Sequence, residues 1–157
     1  MKVKLLLVGK TREAYVEAGY REYRKRIVRY LPFDEQVIAG LKNTKNRTSA
    51  EIKLLEGKLI LKHLTDDDTV VLLDEKGKEF TSEGFAGYIA QQMNAGTRQL
   101  VFVVGGAYGF SPEVYSRANH LISLSRMTFS HQLIRIIFAE QFYRAMTILN
   151  NEPYHNV

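Results

Sequence analysis

Cysteine is absent from this chain, which excludes a disulfide framework, a thiol nucleophile and a thiolate metal site. No apolar run approaches the roughly 20 residues that a membrane span needs. The opening Val3, Leu5, Leu6, Leu7 and Val8 suit a strand, too short and poorly flanked for a signal peptide. Repeats, low-complexity segments and long linkers are also missing, so the length points to one domain over residues 1–157. A cytoplasmic protein with no membrane partner is expected. The four His residues (63, 120, 131, 155) show no metal-ligand spacing. Asp66-Asp67-Asp68 reads as a solvated turn, because three consecutive acids cannot all face one ion. No metal is expected.

What is present alternates between strand and helix. Strands are expected at Met1–Val8, Phe33–Ala39, Thr69–Asp74, Gln99–Val104 and His120–Leu124. Helices are expected at Thr11–Val28, from a Ser49 cap to about Leu64, at Ser82 to about Ala95, after Ser111-Pro112-Glu113, and from about Ser130 to Leu149. Glu75-Lys76-Gly77-Lys78 reads as a turn, and Gly40–Thr48 as an exposed, mobile loop. Alternation of this kind argues for an α/β fold, a doubly wound, mostly parallel sheet covered on both faces.

Charge is unevenly placed. Residues 1–62 hold 15 Lys/Arg against 7 Asp/Glu, a balance of +8, while residues 63–157 hold 7 against 10, a balance of −3. The basic half suits either a polyanionic partner or a solubilising surface. Arg21, Lys25 and Arg29 recur every four residues, with Tyr20, Tyr23 and Tyr30 interleaved, which favours a nucleic-acid surface.

Two motifs invite comparison with nucleotide sites. Gly9-Lys10-Thr11 lacks the P-loop's earlier glycine, since Lys4 stands there. Gly105-Gly106-Ala107-Tyr108-Gly109 has the wrong glycine spacing for a dinucleotide fingerprint and comes too late in the chain. Glycines at a strand's end still suit a small-molecule site built from main chain, with φ > 0 or close ligand approach. The last helix carries Leu133, Ile134, Ile136, Ile137, Phe138, Phe142, Met146, Ile148 and Leu149 around most of its girth. Such a helix must be covered on most sides, so a homodimer interface is expected there.

That glycine turn is followed by Leu124-Ser125-Arg126-Met127-Thr128, His131-Gln132, Arg135, Glu140-Gln141, Tyr143-Arg144-Ala145 and Pro153-Tyr154-His155. In this order, and along the whole chain, the motifs resemble the RlmH-type methyltransferases of bacteria. The family carries a basic residue after the Tyr-His pair, whereas this chain ends Asn156-Val157, which leaves a terminal cationic RNA contact open. The resemblance implies a SPOUT fold, with the C-terminal segment threaded as a trefoil knot. It implies S-adenosylmethionine as cofactor and methylation of N3 of a pseudouridine in 23S ribosomal RNA on the assembled ribosome. Carried over by position, the cofactor residues are Leu73, Gly105, Leu124, Ser125, Arg126, Met127, Thr128 and Phe129. Arg21, Lys25, Arg29 and Tyr154 are the expected RNA contacts. His155 is either a base for the N3 proton or a tail residue that shapes the RNA pocket. Arg135 either fixes the substrate and steadies its developing anion or pairs with Glu140. The rival functions are a non-catalytic ribosome- or RNA-binding module and a SPOUT methyltransferase acting on another RNA.

Overall fold

Alternation at period two decides which side chains meet in this fold. The computed structural model describes residues 1–156; Val157, half of the Asn156-Val157 ending, lies outside the described residues. Along the chain come β1 (Lys2–Val8), α1 (Ala14–Ile27), β2 (Phe33–Ile38), α2 (Ser49–Lys62) and β3 (Asp68–Glu79). They are followed by α3 (Ser82–Asn94), β4 (Gln99–Val104), α4 (Pro112–Arg117), β5 (His120–Ser123) and α5 (Leu133–Leu149). The five strands lie parallel in the order β2-β1-β4-β3-β5. On one face Leu5, Leu7, Val71, Leu100 and Phe102 meet Tyr20, Ile27, Phe85, Ile89, Phe138 and Phe142 of α1, α3 and α5. On the other face Leu6, Val8, Val70, Leu72, Val101 and Val103 meet Ile60 of α2 and Val114 of α4. Both faces are therefore covered, as a parallel sheet requires.

Some boundaries differ from the expected ones for local reasons. Thr48, not Ser49, caps α2: its hydroxyl accepts from the Glu51 amide at 3.2 Å, and the Glu51 carboxylate accepts from the Thr48 amide at 2.9 Å. Helix α1 begins at Ala14 rather than Thr11, whose hydroxyl instead accepts from Arg135 at 2.9 Å. Asp68 is no part of a solvated turn. It is 4 % exposed, and its carboxylate accepts from the Gln99 side chain at 2.7 Å and the Thr65 amide at 2.8 Å.

Helix α5 is packed on two sides by its own domain. Lying between α1 and α3 on the sheet, it has no exposed residue from Leu133 to Leu149 within a single chain. The domain buries Phe138, Phe142 and Met146 and leaves Leu133, Ile134, Ile136, Ile137, Ile148 and Leu149 half-buried, so it covers part of the apolar girth on which a homodimer interface is expected.

The largest departure is at Glu75-Lys76-Gly77-Lys78, which belongs to β3 and is not a turn leading into a helix. Leu73 pairs with Ile122 of β5, and so does Lys78. The ladder breaks between these two pairings, and residues 74–77 cross close against the β5 main chain. Gly77 makes the crossing possible: a Cβ there would lie 2.5 Å from the backbone N and C of Ile122 and 2.6 Å from the carbonyl carbon of Leu121. Those atoms are main chain and have no room to yield. Gly77→Ala is therefore expected to destabilise by about 2–3 kcal/mol, a fall of roughly 4–12 °C in Tm for a chain of this size. Gly87→Ala, on the exposed side of α3 where a Cβ meets nothing within 4 Å, should leave Tm unchanged or raise it. Thermal denaturation of the pair distinguishes a crossing from ordinary helix and strand preference.

Candidate functional site

In open parallel sheets the carboxyl ends of the strands diverge into loops, and small-molecule sites form there. Here β3, β4 and β5 end around one cleft of about 650 Å³, lined by Leu73–Lys76, Val104–Phe110, Ser123–Ser125, Met127–His131, Lys53, Tyr115 and Ile134. Leu73, Gly105, Leu124, Ser125, Met127, Thr128 and Phe129 all line it, and Arg126 does not. The Arg126 side chain is 88 % exposed and donates to Glu79 at 3.0 Å instead.

The loop between β5 and α5 is held by its own polar groups. The Ser123 hydroxyl donates to the Ser125 carbonyl at 2.8 Å, and the Met127 amide donates to the Ser125 hydroxyl at 2.9 Å. The Thr128 hydroxyl donates to Glu75 at 3.0 Å, tying the loop to the segment that crosses β5. Gln132 accepts from the Arg12 amide at 2.7 Å and donates to the Lys10 carbonyl at 3.2 Å.

Gly105 and Gly106 are also pressed closely from within their own chain. A Cβ at Gly105 would meet the Phe110 ring at 3.0–3.4 Å, and one at Gly106 would run into the Glu56 carboxylate. Of the three turn glycines only Gly109 has positive φ, at 80°. The turn is thus shaped by Phe110 and Glu56 packed behind it, and the closest neighbour of position 105 is this ring.

Arg135 is fully buried and does not line the cleft. It donates to the carbonyls of His131 and Val8, each at 3.0 Å, and to the Thr11 hydroxyl at 2.9 Å. Both expected roles yield to this one: a guanidinium with no exposed surface touches no substrate, and Glu140 pairs with Arg144 instead. Arg135 is a positioning residue for the loop that ends at His131.

Tyr154 and His155 also lie away from the cleft of their own chain. Arg144 follows Ile134 by ten helical residues, about 15 Å along α5. There the Tyr154 ring packs 4.7 Å from Tyr143 and 4.8 Å from the Arg144 guanidinium, and its hydroxyl donates to Glu140 at 3.1 Å. His155 uses both ring nitrogens, Nε2 with Glu83 at 2.8 Å and Nδ1 with Arg144 at 3.2 Å. Arg144 can only donate, so Nδ1 accepts and the Nε2 proton goes to Glu83. That hydrogen bond is the main cause holding the Glu83 carboxyl below its usual range. Arg21 and Lys25 are exposed on α1, with Arg21 bonded to Glu17 at 2.5 Å; Arg29 falls in the turn after the helix. Tyr20 is buried and offers no ring to a base.

Sequence reasoning gave three other cleft residues no site role. His131 lines the cleft, where burial, followed by the charges of Arg135 and Arg12, holds its imidazole below the ordinary range and favours the neutral form. Tyr115 donates to Asp74 in a short hydrogen bond. Only His131 had a local signal, its place in the matched motif. Among the described residues no cluster of three His, Cys, Asp or Glu is placed to hold a metal.

Comparison with known proteins agrees with this geometry. A family model described as "Predicted SPOUT methyltransferase" matches residues 1–155. A protein of Parabacteroides distasonis named ribosomal RNA large subunit methyltransferase H is 56 % identical over 156 residues, 99 % of each chain. Proteins of the same name from Christiangramia forsetii and Cytophaga hutchinsonii are 52 % and 50 % identical, covering 99 % of this chain and 99 % and 100 % of theirs.

Glu56, behind the glycine turn, provides a test of this local structure. One carboxylate oxygen is buried with no hydrogen-bond partner, and burial raises the group above its usual range. A raised carboxyl contributes stability that is present below the unfolded-state value and lost as pH rises through the folded-state value. Glu56→Gln should therefore melt a few degrees above the parent at pH 7, and the difference should vanish below about pH 4. Melting curves across that range check it.

Proposed function

The chain belongs to the SPOUT methyltransferase family, and on that footing we propose that it methylates N3 of a pseudouridine in 23S ribosomal RNA on the assembled ribosome, from S-adenosylmethionine. The observation that carries this reading is the cleft at the ends of β3, β4 and β5. Its walls Leu73, Val104, Leu124, Phe129 and Ile134 suit an adenine ring, and main chain at 105–110 and 123–129 can fix its edges. Asp74 and Glu75 suit the cofactor's cationic end. When bound, S-adenosylmethionine supplies a methyl group on a sulfonium.

The protein's own work is then positioning, desolvation and proton transfer. The base's imide must give up its N3 proton. His131 is the imidazole at the cleft, kept neutral and so able to accept it. His155 instead suits the RNA-shaping role, since Glu83 and Arg144 already occupy both of its nitrogens.

The threaded C-terminal segment of the family draws support from Gly77, where β3 passes close against the β5 main chain. A homodimer is supported by a separation within one chain. The cleft lies at the start of α5, while Tyr154, His155 and the basic end of α1 share the other end, joined by Arg26 lying over Tyr143 at 5.6 Å. Two chains packed in opposite directions would bring the RNA-gripping end of one beside the cleft of the other. A cytoplasmic location follows from the substrate, and no helix of the described residues is long and apolar enough to cross a membrane.

Calorimetry in the presence of a chelator should show S-adenosylmethionine binding, and absence of binding to free and ribosome-associated protein would contradict the reading. Replacing Arg21, Lys25 and Arg29 together by Ala should weaken ribosome binding and its salt dependence while leaving cofactor affinity within about twofold. Sedimentation at low micromolar concentration should give a dimer, and a monomer there would contradict the composite arrangement.

A further inference from the structure

Among the described residues, three large apolar side chains are more than half exposed, and two of them, Tyr108 (51 %) and Met127 (77 %), line this one cleft. They come from different loops. Tyr108 tips the glycine turn, which is closed by the Gly106–Gly109 bridge and by the Gly109 amide donating to the Gly106 carbonyl at 3.2 Å. Phe110 anchors that turn, buried and set edge-on to Tyr115 at 5.9 Å. The ring is therefore carried out to solvent on a fixed support. Met127 is bonded inward only through its backbone amide, so its thioether is free of the loop's hydrogen bonds. Both side chains thus stand open to solvent, and an exposed ring on a rigid turn costs apolar hydration unless something covers it.

We propose that Tyr108 and Met127 form the walls that receive the target base, Tyr108 by stacking on its face. The inference rests on the reading of the protein as an RNA methyltransferase and adds which side chains hold the base. Chemistry on a base requires it to leave its stack, and a flipped base is held between aromatic and apolar side chains. A pyrimidine stacked on Tyr108 keeps its ring edge, where N3 sits, directed along the plane of the stack and into the cleft. Lys53 and Lys76 line the cleft beside Asp74 and Glu75, and these two ammonium groups suit the flanking phosphates. Tyr108 acts through its ring face, and its hydroxyl plays no part.

The test compares Tyr108→Ala and Tyr108→Phe, using large ribosomal particles that lack the methyl group. Tyr108→Ala should lower kcat/KM by at least roughly tenfold, the scale of a lost base stack, with S-adenosylmethionine affinity within twofold of the parent. Tyr108→Phe should retain most of the activity, and Met127→Ala should fall less than Tyr108→Ala. Equal losses in Ala and Phe, an unchanged Ala variant, loss of cofactor affinity, or a changed sedimentation mass would each overturn the proposal. A second measurement does not depend on turnover. A five-nucleotide RNA carrying a fluorescent pyrimidine analogue is titrated with protein saturated with S-adenosylhomocysteine. Quenching by the parent and Tyr108→Phe but not by Tyr108→Ala supports stacking, and equal quenching by all three overturns it. A parent that quenches yet transfers no methyl group would refute the proposed reaction and leave the stacking role standing.

Discussion

One buried guanidinium holds together the parts on which the site depends. Arg135 has no exposed surface and, among the described residues, no carboxylate within ion-pair distance. Burial accordingly pushes it below its ordinary value. It stays because three neutral acceptors converge on it: the last carbonyl of β1, the Thr11 hydroxyl in the β1–α1 connection, and the His131 carbonyl at the end of the cleft loop. The His131 loop lies 120 or more residues from Val8 and Thr11 in sequence, and no backbone ladder joins it to them. A buried charge left without its acceptors is costly, so the loop and the end of β1 keep their relation whenever α5 is docked.

The crossing at Gly77 supplies the other half of this frame. By passing over β5, residues 74–77 bring Asp74 and Glu75 to the mouth of a cleft whose other walls come from β4 and from the loop after β5. The Thr128–Glu75 hydrogen bond then closes that loop against the crossing strand. Rigid support with short exposed loops is what positioning catalysis needs. The same geometry separates functions along the helices. The cleft sits at the carboxyl end of the sheet, and the cationic and tyrosine-rich cluster sits at the opposite end of α1 and α5.

Much of this was legible in residue order. The strand runs around Leu5–Leu7, Val70–Leu72 and Val101–Val103 alternate between two helical layers, and their pattern announced a sheet covered on both faces. The glycine turn was legible as a small-molecule site from its residues, but the loop after β5 only through resemblance, since nothing in Leu124–Phe129 taken alone demands a ligand. Four features were not legible for physical reasons. Glu75-Lys76-Gly77-Lys78 has the same turn composition whether the chain reverses or crosses a neighbour, because the decisive contact is with Ile122, more than forty residues away. The burial of Arg135 depends on acceptors supplied by β1, and the apolar girth of α5 gave no sign that α1 and α3 would flank it. Composition also could not show the Phe110 ring packed against position 105 from within the chain.

The central claim is that the loops at the carboxyl ends of β3, β4 and β5 hold the cofactor, apart from the basic end of α1. Amide hydrogen exchange measured with and without S-adenosylmethionine tests it directly. The account expects slowed exchange in residues 105–110 and 123–131, with α1 unchanged. Protection confined to α1 around Arg21 and Lys25, or no protection in either loop under saturating cofactor, would contradict it.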